Sequence, residues 1–68
     1  MKKIVIIPTY NEKENITAII NAVIVLGNQY HVLVVDDGSP DGTADIVKEL
    51  MQLHTDKIFI QERKGKLG

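Results

Sequence analysis

Three short runs rich in β-branched residues, Ile4–Ile7, Val32–Val35 and Ile58–Ile60, alternate with two stretches whose apolar residues recur at helical spacing. Continuous apolar runs of this length, bounded by turn or polar residues, suit strands of a parallel sheet buried on both faces. In the first intervening stretch Ile16, Ile19, Ile20 and Val23 fall at i, i+3, i+4 and i+7, one face of a helix. Asn11 is the expected N-cap, Glu14 completes a capping-box-like pair three residues on, and Gly27-Asn28 supplies the stop. The second helix is expected to begin within Ser39–Asp41, with Pro40 in its first turn if Ser39 is the cap. Val47, Leu50 and Met51 form its buried stripe with Ile46 beside it, so Met51 reads as core filling. The order β-α-β-α-β predicts an α/β fold, with parallel strands joined by right-handed crossovers in an open, doubly wound, Rossmann-like sheet.

That topology has a consequence. With strands in the order 3-2-1, two right-handed crossovers place both helices on one sheet face and leave the other face and the first strand's edge bare. Strands this apolar should not face water, and an open edge invites association. Residues 1–68 are therefore expected to form an incomplete part of one larger domain, with self-association of the fragment as its corollary. The chain has no cysteine, so no disulfide compensates for the small core that so short a sequence can bury. The usual Cys and His ligand cluster of a structural zinc site is also absent.

The charge balance, a formal −1, argues against a nucleic-acid partner, which calls for a basic face. The one basic cluster, Arg63, Lys64 and Lys66, suits either a solvated loop or a phosphate site. Met1-Lys2-Lys3 followed by Ile4–Ile7 has an apolar run too short for a signal peptide, which needs roughly 7–15 residues. The longest apolar stretch, Ala22 to Leu26, is likewise far below the about 20 residues of a bilayer span, so any membrane attachment is expected to lie elsewhere. His31 and His54 flank a strand and end a helix respectively, and Tyr30 reads as a packing residue.

Ligands of open α/β sheets bind outside the carboxyl ends of the strands. There the first run leads into Pro8-Thr9-Tyr10-Asn11-Glu12, the second into Asp36-Asp37-Gly38-Ser39-Pro40-Asp41-Gly42, and the third into Glu62-Arg63-Lys64-Gly65. Gly38 and Gly42 followed by Thr43 lack the spacing of a Walker-A loop, and no G-x-G-x-x-G opens the first turn. Asp37, Ser39, Asp41 and Gly42 imitate the start of a calcium loop. Lys48 stands where its bidentate Glu belongs, however, and a strand precedes it instead of a helix. Two readings remain. In a receiver-like signalling domain the Asp36-Asp37 pair would hold Mg²⁺, although a whole β-α unit precedes the pair here. In a nucleoside pocket, a strand-end aspartate would accept from a base N–H or ribose hydroxyls while a tyrosine offers a stacking face. Pro8 would rigidify the turn, and Gly38 and Gly42 would permit tight backbone paths. Asp41 reads as a turn or cap residue.

The segments Ile6-Ile7-Pro8-Thr9-Tyr10-Asn11-Glu12 and Val34-Val35-Asp36-Asp37-Gly38-Ser39-Pro40-Asp41-Gly42-Thr43 resemble the inverting glycosyltransferases of family 2, which have a GT-A fold. With the ending Arg63-Lys64-Gly65-Lys66-Leu67-Gly68, they are most similar to dolichol- or polyprenol-phosphate mannosyltransferases. The resemblance implies that Pro8, Tyr10 and Glu12 line a nucleotide-sugar pocket at the first strand, with Val35 and Asp37 at the second. Asp37 would be the base-contacting carboxylate, Asp36 either a brace or a contact, and Arg63 and Lys64 either a phosphate-side loop or a solvated turn. It further implies transfer of mannose from GDP-mannose to a polyprenyl or dolichyl phosphate at the cytoplasmic face of a membrane. A UDP-glucose or other donor is the alternative. The family's D-x-D motif, which holds Mg²⁺ or Mn²⁺ against the donor diphosphate, is expected beyond Gly68, so these residues hold no catalytic group or metal ligand. Negligible transferase activity is expected of these 68 residues alone.

Overall fold

A computed structural model describes residues 2–64. The elements follow in the expected order: β1 (Lys3–Thr9), α1 (Ile16–Ile24), β2 (Tyr30–Asp36), α2 (Thr43–Leu53) and β3 (Ile58–Glu62). The strands are parallel and lie in the order β1-β2-β3. Lys3 to Thr9 stand opposite Tyr30 to Asp36. Val32 to Asp36 stand opposite Ile58 to Glu62.

Strand side chains alternate between the two sheet faces, and the helices cover only one of them. Val32, Val34 and Ile58 point to the helix side, where Ile16 and Ile20 of α1 and Val47 and Leu50 of α2 complete a buried core. Full burial of a side chain of this size contributes roughly 1.5–3 kcal/mol, so this layer carries most of the fold's stability. Ile7, Val23, Ile24, Ile46, Met51 and Ile60 pack around it, which bears out Met51 as core filling. Ile19, assigned to the same stripe by its spacing, sits at the margin and is 36% exposed.

The opposite face is bare, as the topology required. Ile6, Leu33 and Phe59 form one cross-strand row on it. Ile6 is 62% exposed and its neighbour along β1, Ile4, 64%.

Several boundaries differ from the sequence-based expectation. Pro8 lies within β1, paired with Val35, and does not sit in a turn after it. An edge strand bonds on one side only and can accommodate a residue without an N–H. Asn11 is no helix cap. Its φ of 57° is left-handed, and the helix begins at Ile16, after a turn in which the Glu12 carbonyl accepts the Asn15 and Ile16 amides. The helix does stop before Gly27, whose φ of 143° breaks the helical path. At α2 the helix starts at Thr43, beyond Pro40, because Gly42 takes a left-handed φ of 94° and ends the preceding turn.

Candidate functional site

All three strands end at one edge, and the connections leaving that edge are tied together by side chains. Asp36, the last residue of β2, shares the helix-facing parity of Val32 and Val34 and is 1% exposed. Its Oδ1 accepts the Thr9 hydroxyl at 2.7 Å and the Ser39 hydroxyl at 2.6 Å, and its Oδ2 accepts the Ser39 amide at 2.9 Å. Burial alone would push this carboxyl up. The bonds from the Ser39 hydroxyl and amide, the Thr9 hydroxyl and the Gly38 amide outweigh it and hold the pKa below the ordinary 3.8. Asp36 is a brace with its lone pairs committed.

A second set of bonds runs between the loops. Three consecutive amides after β1 donate to side chains after β2: Asn11 to Ser39 Oγ at 2.9 Å, Glu12 to Thr43 Oγ1 at 3.1 Å, and Lys13 to Asp41 Oδ2 at 3.1 Å. Asp41 Oδ1 also accepts the Thr43 amide, at 3.0 Å, and its hydroxyl. The Thr43 hydroxyl is the main cause that lowers the Asp41 pKa below 3.8. Asp41 therefore has the structural role expected of it. Spacing alone did not single out Thr9 and Thr43, and it offered Ser39 only as a helix cap, a place that Gly42 takes. The one available signal was a cluster of short hydroxyl and carboxylate side chains, which favour bonds to nearby backbone.

The residues assigned to a pocket flank this braced edge. Pro8 and Val35 are cross-strand partners on the bare face. Asp37 follows directly, its amide bonded to the Thr9 carbonyl at 3.0 Å, so it continues the pairing of β1 with β2. Its carboxylate meets Arg63 Nε at 3.2 Å, with the two side chains 37% and 63% exposed. Tyr10 projects from the first loop and is 58% exposed. Glu12 is half-buried, and its Oε1 accepts the Asn15 amide group at 3.3 Å. Lys64 is exposed, whereas Lys66 lies outside the described residues.

Three residues set aside from the site lie away from this edge. Tyr30 begins β2 at the other end, with Lys3 Nζ 5.5 Å from its ring centre. His31 lies within β2 and not beside it, and His54 caps α2.

Chemically, the edge offers a half-buried carboxylate with one exposed cationic partner, a second carboxylate at Glu12, and an open phenol ring. Carboxylates accept N–H and O–H donors, and the ring offers a stacking surface. The described residues do not fit a divalent cation. Both oxygens of Asp36 and of Asp41 are engaged by protein donors, Asp37 is paired with Arg63, and no group of three or more potential ligands converges among the described residues.

A family model, glycosyl transferase family 2, matches residues 4–68. The chain is 46% identical over 67 residues to the polyprenol monophosphomannose synthase of Mycolicibacterium smegmatis, covering 98% of this chain and 25% of that protein. It is 42% identical over 70 residues to the dolichol-phosphate mannosyltransferase of Pyrococcus furiosus, covering 100% of this chain and 20% of that one. The fold matches the mannosyltransferase PcManGT from Pyrobaculum calidifontis, solved in complex with GDP-Man and Mn²⁺. The TM-score is 0.79 at 31% identity, over 96% of this chain and 20% of that one. The chain thus spans a quarter or less of the length of these relatives.

Proposed function

This chain belongs to glycosyl transferase family 2, and from that premise we propose that it is the donor-nucleotide-binding part of an enzyme moving mannose from GDP-mannose to a polyprenyl phosphate. The observation that carries the reading is the strand-end edge. There Pro8 and Val35 form an apolar floor, Asp37 stands beside them, and Tyr10 and Glu12 come from a loop bolted in place. Guanine presents adjacent N–H donors that one carboxylate can accept together, which suits Asp37 as the base contact. Support for the sugar and the acceptor comes from the relatives' names and from the GDP-Man complex of the structural neighbour. The receiver-like alternative gives way to the family match and to the commitment of Asp36 to Thr9 and Ser39.

In this reaction an oxygen of the lipid phosphate attacks the anomeric carbon as the bond to GDP breaks, with inversion. A divalent cation, Mn²⁺ or Mg²⁺, neutralises the leaving diphosphate when bound, and its ligands come from outside the described residues. The proposed lipid acceptor supports work at a membrane surface, and we propose the cytoplasmic face. No helix among the described residues is long and apolar enough to cross one.

The test is made on the complete gene product that carries this segment. Titration with GDP and UDP, followed by incubation of GDP-mannose with a polyprenyl phosphate and Mn²⁺, should show preferential GDP binding and a mannosylated lipid. Preference for UDP would move the donor to UDP-glucose or a similar sugar. Neither nucleotide binding would sink the proposal.

A further inference from the structure

Ser39, Asp41 and Thr43 follow β2, yet their side chains receive the amides of Asn11, Glu12 and Lys13, 28 to 31 residues earlier in the chain. Two of these contacts are relays with set direction. The Ser39 hydroxyl donates its one proton to Asp36, leaving lone pairs for the Asn11 amide. The Thr43 hydroxyl donates to Asp41 and accepts the Glu12 amide. The loop's own backbone bonds, from the Asn15 and Ile16 amides to the Glu12 carbonyl, hold its exit toward α1. Asn11 sits at a left-handed φ of 57°, uncommon for a residue with a side chain, and such a conformation persists where surrounding contacts fix it. Tyr10 and Glu12 lie on either side of Asn11, so its conformation sets where their side chains can go.

We propose that Ser39, Asp41 and Thr43 are positioning residues that hold the Tyr10–Glu12 loop in its ligand-receiving shape and so preorganise nucleoside diphosphate binding. This inference rests on the nucleotide reading above. Ser39 and Thr43 act through hydroxyl oxygens and Asp41 through its carboxylate, and none of the three needs to touch the ligand.

Thr43→Val keeps the shape of the side chain and removes the acceptor, Ser39→Ala removes the other hydroxyl, and Thr43→Ser restores an acceptor. Val47→Ala, in the core one helical turn beyond Thr43 and making none of the cross-loop bonds, controls for lost stability. In the complete gene product, Thr43→Val and Ser39→Ala should each raise the GDP Kd about tenfold, as expected when a preorganised loop becomes free to move. Thr43→Ser should bind GDP nearly as the parent does, and Val47→Ala should leave the Kd unchanged below its melting temperature. Hydrogen exchange supplies a readout that needs no ligand. The amides of Asn11, Glu12 and Lys13 should lose protection selectively in Thr43→Val and Ser39→Ala, whereas Val47→Ala should raise exchange throughout the core. Parent-like GDP affinity in both hydroxyl variants, or an equal loss in Val47→Ala, overturns the inference. If the parent protein binds no GDP, the nucleotide reading fails. The loop clamp is then judged by exchange alone, and unchanged protection of the three amides overturns it.

Discussion

The hydroxyl of Thr9 donates a 2.7 Å hydrogen bond to Oδ1 of Asp36, joining the last residues of two neighbouring parallel strands inside the fold. Both residues are buried, Thr9 at 4% exposure and Asp36 at 1%, so water offers no substitute partner. Thr9→Val keeps the shape and deletes the donor. It should destabilise the fold by about 1.5–3 kcal/mol, the range for a lost bond to a charged group, read as a lower urea midpoint at unchanged slope.

Acid should weaken this edge before it weakens the core. Asp36 and Asp41 both have folded-state values below 3.8. Between the folded value and 3.8 the unfolded chain binds more protons, so stability rises with pH through that window. Their contribution is fully present above 3.8 and is lost as the pH falls below it. Unfolding free energies measured from pH 6 to pH 2 should bend downward on the acid side, and Asp36→Asn should flatten part of that bend.

The sequence made the two aspartates distinguishable only in part. Alternation assigns Asp36 the parity of Val32 and Val34, hence the helix side, and this parity already separates a buried brace from its neighbour Asp37. Helical spacing likewise identified the stripes of Ile16 and Ile20 and of Val47 and Leu50, because burial of one face imposes that period. The start of α1 was not legible. Asn11 followed by Glu14 has the local pattern of a cap, but the conformation at Asn11 accompanies a bond to Ser39, 28 positions away. A contact at that separation leaves no local pattern to read. The loop clamp was missed for the same reason.

Gly42 tests backbone conformation separately from packing. Its φ of 94° is left-handed, yet a Cβ there would meet nothing within 4 Å. Gly42→Ala should therefore lose about 1–2 kcal/mol from backbone strain alone, with the core unchanged. A thermal melt shows this as a lower Tm, and an unaltered near-ultraviolet circular dichroism spectrum shows that packing is kept.

Arg63 should matter little to folding. Its ion pair with half-buried Asp37 is open to solvent on the arginine side, and such surface pairs contribute at most about 1 kcal/mol. Arg63→Ala should leave the urea midpoint nearly unchanged, and added salt should erase the remaining difference. A large loss of stability would show that the pair anchors the end of β3 and is more than a surface contact.

The uncovered face of the sheet sets the behaviour of the isolated chain. Ile4, Ile6 and Phe59 are 64%, 62% and 44% exposed on a surface that parallel sheets normally cover. Grouped apolar side chains gain by leaving water at roughly 25 cal/mol per Å², and on the isolated chain another copy can supply the cover. The 68 residues alone should therefore sediment as a species that grows heavier with concentration. Ile6→Lys places a charge at the β1 end of the Ile6, Leu33 and Phe59 row without touching the helix-side core, so it should shift sedimentation toward the monomer while leaving the circular dichroism spectrum unaltered. A parent chain that stays monomeric at all concentrations would show that this face tolerates water unaided, and with it would fall the inference that these strands form part of a larger sheet domain.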